Sequence, residues 1–189
     1  MMTLVFCLEE LSAKEMLQGI LPKLLLPEHI TPRFIVFEGK QDLEKQLVRK
    51  MRLWNQPREV RFLILRDQDA GDCRKIKHDL LEKCREAGRL DAIVRIACHE
   101  LESFYLGDLR AVEQGLGLKG LAKKQEQRQY RDPDSFPSPA NKLSKLTKNS
   151  YDKVSGSRAI GRHLNLDSNC SRSFNMLVQA IRETLLEPV

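Results

Sequence analysis

The stretch Leu63-Ile64-Leu65-Arg66-Asp67-Gln68-Asp69-Ala70-Gly71-Asp72 decides the fold of this 189-residue chain. An apolar run, Phe62 to Leu65, leads through Arg66 into two acids spaced i, i+2, then Gly71 and a third acid. Short apolar runs bounded by turn residues read as fully buried strands of a parallel sheet. In open α/β sheets, ligands bind outside the carboxyl ends of such strands. Two carboxylates held together there repel unless a cation or a proton relieves them. Asp67 and Asp69 are therefore expected as ligands of a divalent cation at a strand tip. The competing reading is that they are ordinary loop and N-cap acids.

Outward from this stretch, strands and helices alternate. Thr3 to Leu8 is an apolar strand ending at Glu9 and Glu10. Ser12 and Glu15 have the spacing of a capping box, ahead of Met16, Leu17 and Ile20 at helical period; Pro22 is expected to interrupt that helix. Arg33 to Phe37 is the second strand. An amphipathic helix from about Gln41 to Trp54 follows, buried through Leu43, Leu47 and Met51 and stopped by Asn55-Gln56-Pro57. Val60 to Leu65 is the third strand. Asp72 then caps a helix ending at Gly88. Ala92 to Cys98 is the fourth strand, leaving through His99, Glu100 and Glu102. Helices are expected over Glu100 to Leu106 and Leu109 to Gln114. This alternation predicts an α/β fold with a mostly parallel four-stranded sheet flanked by helices. A core of residues 1–109 and a helical extension of residues 110–189 docked on it are expected. Within the extension, a helix over Tyr151 to Leu164 is expected to break at Gly156, and a final one is capped by Ser171 or Ser173.

Charge separates the same two parts. Residues 1–109 carry 18 basic and 18 acidic side chains, residues 110–163 carry 12 and 5, and the whole chain is +6. A basic excess confined to one segment suits an arm that meets a polyanion, or a lysine-rich solvated surface. Lys123, Lys124, Arg128, Lys153 and Arg158 are the expected nucleic-acid contacts. No apolar run is long enough to span a membrane. The N-terminal residues lack a basic leader, so a cytoplasmic location is expected. Cys7, Cys73, Cys84, Cys98 and Cys170 show no CxxC pairing and are expected as buried free thiols rather than zinc ligands. His99 reads as a surface or capping residue, Phe104 and Tyr105 as core. Arg66 is suited to a salt bridge or to phosphate. Gly39-Lys40 is too short for a Walker A loop.

Acids thus stand at three strand exits: Glu9 and Glu10, Asp67 and Asp69, Glu100 and Glu102. In a parallel sheet these exits share one edge, so they converge if the first, third and fourth strands are neighbours. Such a set suits Mg²⁺ or Mn²⁺, with substrate phosphate completing the shell.

Glu9 at the end of the first strand, with Asp67-Gln68-Asp69 at the end of a later one, resembles the Toprim domain of topoisomerases, primases, and OLD and RecR-type proteins. More closely, Leu8 to Ser12, Phe37 to Lys40, Leu65 to Asp69, Arg95 to Asp108 and Asn169 to Phe174 resemble a bacterial family known as domain of unknown function 4276. The Toprim resemblance implies Mg²⁺-dependent phosphodiester chemistry, with Glu9, Asp67 and Asp69 as its catalytic residues. Glu10 stands where Toprim proteins usually have Gly, so it competes with Glu9 for the metal-facing role. Proteins similar to this one are often associated with ABC-type ATPases in phage-defence or mobile-element settings. The resemblance therefore implies a nuclease-like effector subunit with such a partner. The alternative is a non-catalytic or regulatory subunit that retains the fold. A homo-oligomer is a further candidate assembly.

Overall fold

A computed structural model describes residues 2–24, 30–54 and 59–186. Its centre is a four-stranded, all-parallel sheet in the order β2-β1-β3-β4, made of β1 (Met2–Leu8), β2 (Ile30–Val36), β3 (Val60–Asp67) and β4 (Ile93–Ala97). β1 and β3 are adjacent and buried on both faces, which is why both read as continuous apolar runs. Side-chain alternation divides them between two cores. Leu4, Phe6, Leu8, Leu63 and Leu65 enter one; Val5, Cys7, Phe62 and Ile64 enter the other.

The second core is closed by α2 (Lys40–Arg52) and α3 (Cys73–Glu86), through Leu43, Leu47, Met51, Leu80 and Cys84. Asp72 caps α3, its carboxylate accepting from the Arg74 and Lys75 amides. The expected helix stop at Asn55-Gln56-Pro57 lies outside the described residues.

The first core is larger. α1 (Leu11–Ile20) covers it and passes at Leu21 into a 3-10 turn, where Pro22 prevents further α-helix. The remaining helices are α4 (Ser103–Leu106), α5 (Leu109–Gly115), α6 (Pro139–Leu146), α7 (Lys153–Gly161) and α8 (Arg172–Leu186), with 3-10 turns over 122–126, 128–130 and 133–135. Leu143, Ile160, Phe174, Leu177 and Ile181 from beyond residue 109 share one buried cluster with Leu4, Phe6 and Met16. α8 also lies against β4, where Arg95 Nε donates to the Met176 carbonyl. No helix among the described residues is long and apolar enough to cross a membrane.

Several local expectations are corrected. β2 begins at Ile30 rather than Arg33 and runs through Pro32, tolerated because β2 is an edge strand and needs that amide on one side only. β3 extends to Asp67, which pairs with Ala97, so Asp67 is a strand residue and not a loop residue. The capping box does not form: α1 starts at Leu11, and Glu15 instead accepts from Arg158 Nε at 2.6 Å. α7 passes unbroken through Gly156, and the glycine is required by packing: a Cβ there would lie 2.5 Å from the Tyr151 ring. Cys170 is exposed, and Cys73 and Cys98 are only half-buried.

Ser171 is the α8 cap. Its Oγ accepts from the Phe174 amide at 3.1 Å and donates to Asp134 at 2.7 Å. Ser171→Ala should cost about 1–2 kcal/mol, from the lost cap and the lost bond to Asp134, which keeps its bonds from Ser173. The urea midpoint should fall with an unchanged slope.

Candidate metal centre at the strand exits

β1, β3 and β4 are adjacent, so their exits meet at one edge of the sheet. Glu9 leaves β1 with its side chain buried, and its Oε2 accepts from the Asp67 amide at 3.1 Å. Arg66 reaches it from the α2 side, Nε standing 3.9 Å from Glu9 Oε2 and Nη2 3.0 Å from Glu44 Oε1. Arg66 is thus a buried salt-bridge residue between two acids.

Asp67, at odd register with Leu63 and Leu65, faces α1 and α4. Its charge is opposed most by Glu102 and then by Glu9. Glu102 is buried; its Oε1 accepts from the Tyr151 hydroxyl at 2.8 Å, while its Oε2 is enclosed without a donor. A void of about 10 Å³ lies among Glu9, Glu10, Ser12, Asp67 and Leu101, about the space one water or ion needs.

The flanking acids are engaged elsewhere. Asp69 lies beyond the strand with φ +53°, in the left-handed region, and its side chain turns to Lys40 Nζ at 2.7 Å. That turn is closed by the Asp69 amide donating to the His99 carbonyl at 2.6 Å. Glu100 accepts from the Ala140 amide at 2.7 Å in the first turn of α6. Glu10 is ion-paired with Lys153. Among the described residues, no group of three or more His, Cys, Asp or Glu side chains is assembled to hold a metal ion. Glu9, Glu10 and Asp67 nevertheless line one small void, and Glu102, whose charge opposes that of Asp67, keeps a buried oxygen without a donor.

Burial, then the charges of Glu102 and Glu9, raise the Asp67 carboxyl well above the ordinary range, against the pull of Lys153 and the Leu101 amide. Burial raises Glu102 as well, opposed by Tyr151 and Lys153. Glu9 is raised by burial despite the bond from the Asp67 amide. These three groups bind protons more tightly folded than unfolded. Their destabilising charge is therefore fully present above their folded-state values and is relieved as pH falls through them towards about 4. Glu15 has the opposite sign: the Arg158 bond lowers it, so its stabilisation holds above the ordinary value and is lost as pH falls through the folded one. Urea midpoints should rise on mild acidification from neutrality and fall again where Glu15 titrates. Asp67→Asn should flatten the rise, and an unaltered profile would contradict this assignment.

The sequence profile of domain of unknown function 4276 matches residues 8–182. The chain belongs to the DUF4276 family. Neither the curated proteins nor the solved structures provide a match. The DUF4276 region contains all the acids above, and also Tyr151 and the α7 residue Lys153, which complete the cluster.

Of the residues expected as nucleic-acid contacts in this DUF4276 chain, Lys153 and Arg158 are paired with Glu10 and Glu15. Lys123, Lys124 and Arg128 sit on 3-10 turns following α5. Tyr151 was not foreseen in the site; a lone tyrosine 49 residues from Glu102 carries no local signal. His99 is half-buried and contributes backbone bonds to the Gln68–Asp69 turn.

Proposed function

We propose that this DUF4276 protein is a Mg²⁺- or Mn²⁺-dependent, phosphodiester-cleaving protein of Toprim-like architecture. The observation that carries the reading is the meeting of Glu9, Glu10 and Asp67 around a void of about 10 Å³ at the carboxyl edge of the sheet. Glu9, Glu10 and Asp67 would hold the ion, with Glu102 behind them and Asp69 at the rim. A divalent ion bound there would activate water and neutralise charge on a phosphodiester. The protein's own part is positional. Arg66 and the Asp67 amide orient Glu9, and Tyr151 orients Glu102. The basic excess of residues 110–163 supports a nucleic-acid substrate. Association with an ABC-type ATPase in phage defence or a mobile element rests on the family resemblance.

The test is nicking of supercoiled plasmid and of RNA with Mg²⁺, Mn²⁺ or EDTA, alone and with a cognate ATPase. Metal-dependent product is expected. Cleavage that persists in EDTA would overturn the reading, as would its absence under every metal and partner condition.

A further inference from the structure

We infer that Lys153 is a built-in counter-ion of the acidic void, an ammonium that a divalent cation must displace from Glu10 before the carboxylates can close on it. This rests on the metal-site reading above and adds a determinant of its affinity.

Lys153 opens α7, directly after Asp152, which caps the helix by accepting from the Ser155 amide at 2.9 Å and its hydroxyl at 2.7 Å. The backbone under Lys153 is therefore fixed. α7 is in turn fixed against α1, the helix that Glu10 caps: a Cβ on Gly161 would stand 2.8 Å from the Met16 carbonyl oxygen, so the two backbones touch. From that base the flexible stem carries the ammonium to Glu10, with its charge also facing Glu102 and Asp67. The side chain is 45% exposed, so it can leave without disturbing the core.

The pairing leaves the cluster incompletely satisfied. Glu9, Glu10, Asp67 and Glu102 supply four carboxylates, whereas Lys153 supplies one charge and Arg66 is shared between Glu9 and Glu44. Glu102 Oε2 remains buried without a donor. Lys153 also draws Glu10 into an ion pair at the void's edge. A site whose competent state is populated only one time in ten binds about tenfold more weakly than its intrinsic affinity. The tethered ammonium acts in this direction, by holding Glu10 in an ion pair that a cation must break.

The experiment is calorimetric titration of the full chain with Mn²⁺ alone, comparing wild type, Lys153→Gln and Lys153→Arg, with melting temperatures recorded with and without Mn²⁺. Lys153→Gln is expected to bind Mn²⁺ about tenfold more tightly and to show a larger Mn²⁺-induced rise in melting temperature. Lys153→Arg, which keeps the charge, should resemble wild type. Equal or weaker binding by Lys153→Gln would overturn the counter-ion role while leaving the metal site intact. Absence of binding by all three proteins would overturn the metal site itself, and this inference with it.

Discussion

If the proposed metal site is right, Asp67→Asn is expected to lower Mn²⁺ affinity by more than about 100-fold and to abolish metal-dependent cleavage, whereas Asp69→Asn should lower each by no more than about 10–100-fold. Changes one shell removed from a metal typically cost 10–100-fold, and loss of a ligand more. The two acids look equivalent in sequence, and the backbone separates them. Asp67 is the last ladder residue of β3, paired with Ala97, and its side chain is held towards Glu9 and Glu102. Asp69 itself adopts the left-handed conformation and is committed to Lys40. In Asp67→Asn the new side-chain amide oxygen can still accept from the Leu101 amide, and removing a charge that Glu102 and Glu9 oppose should leave the melting temperature unchanged or higher. Loss of binding therefore cannot be ascribed to unfolding. Titration with Mn²⁺ and a thermal melt of each variant decide the matter. A larger loss for Asp69→Asn would show that Asp69, not Asp67, is the principal ligand.

Gly19→Ala is expected to be the most damaging small substitution in α1, lowering the melting temperature by about 4–8 °C. A Cβ at Gly19 would lie 2.5 Å from the Gly161 carbonyl carbon and 2.6 Å from the Arg162 amide nitrogen. Both are backbone atoms, so the clash can be relieved only by moving α7 away from α1. Overpacking of this kind costs about 1–3 kcal/mol, and here the upper end applies. Alanine returns up to about 1 kcal/mol of helix propensity, leaving a net loss near 2 kcal/mol. For a chain of this size each kcal/mol corresponds to about 2–4 °C. Gln18→Ala, exposed on the same helix, should be neutral and serves as the control. Calorimetric melts read both. Because α7 carries Lys153 and α1 follows Glu10, the Gly19 variant should also loosen their ion pair.

Much of the sheet was legible because buried parallel strands are apolar on both faces, and β1 and β3 fit that rule. The helices on the β2–β3 side were legible from the period of Leu43, Leu47 and Met51, and from local caps such as Asp72. β2 was read short at Pro32 because the sequence does not say which strand lies at an edge. The gathering of three acidic strand exits at one sheet edge was legible. What those acids do there was not, since their partners are remote: Glu102 and Tyr151 are 49 positions apart, and Asp67 and Glu9 are 58 apart.

The sequence by itself determined the order of strands and helices, the cap at Asp72, the pair Ser171 and Ser173 from which the last cap is drawn, and the presence of acids at the ends of β1, β3 and β4. These follow from hydrogen bonds and burial periods that act within a few residues of the chain. Only the tertiary structure decided that Asp67 and Asp69 part company, that Glu100 serves α6, and that Glu102 belongs with Tyr151. It also decided that Lys153, which the sequence offered to a polyanion, faces the protein's own acids instead. An ion pair depends on where two helices cross, and that crossing is set by the close approach of Gly19 and Gly161, residues that carry no charge at all.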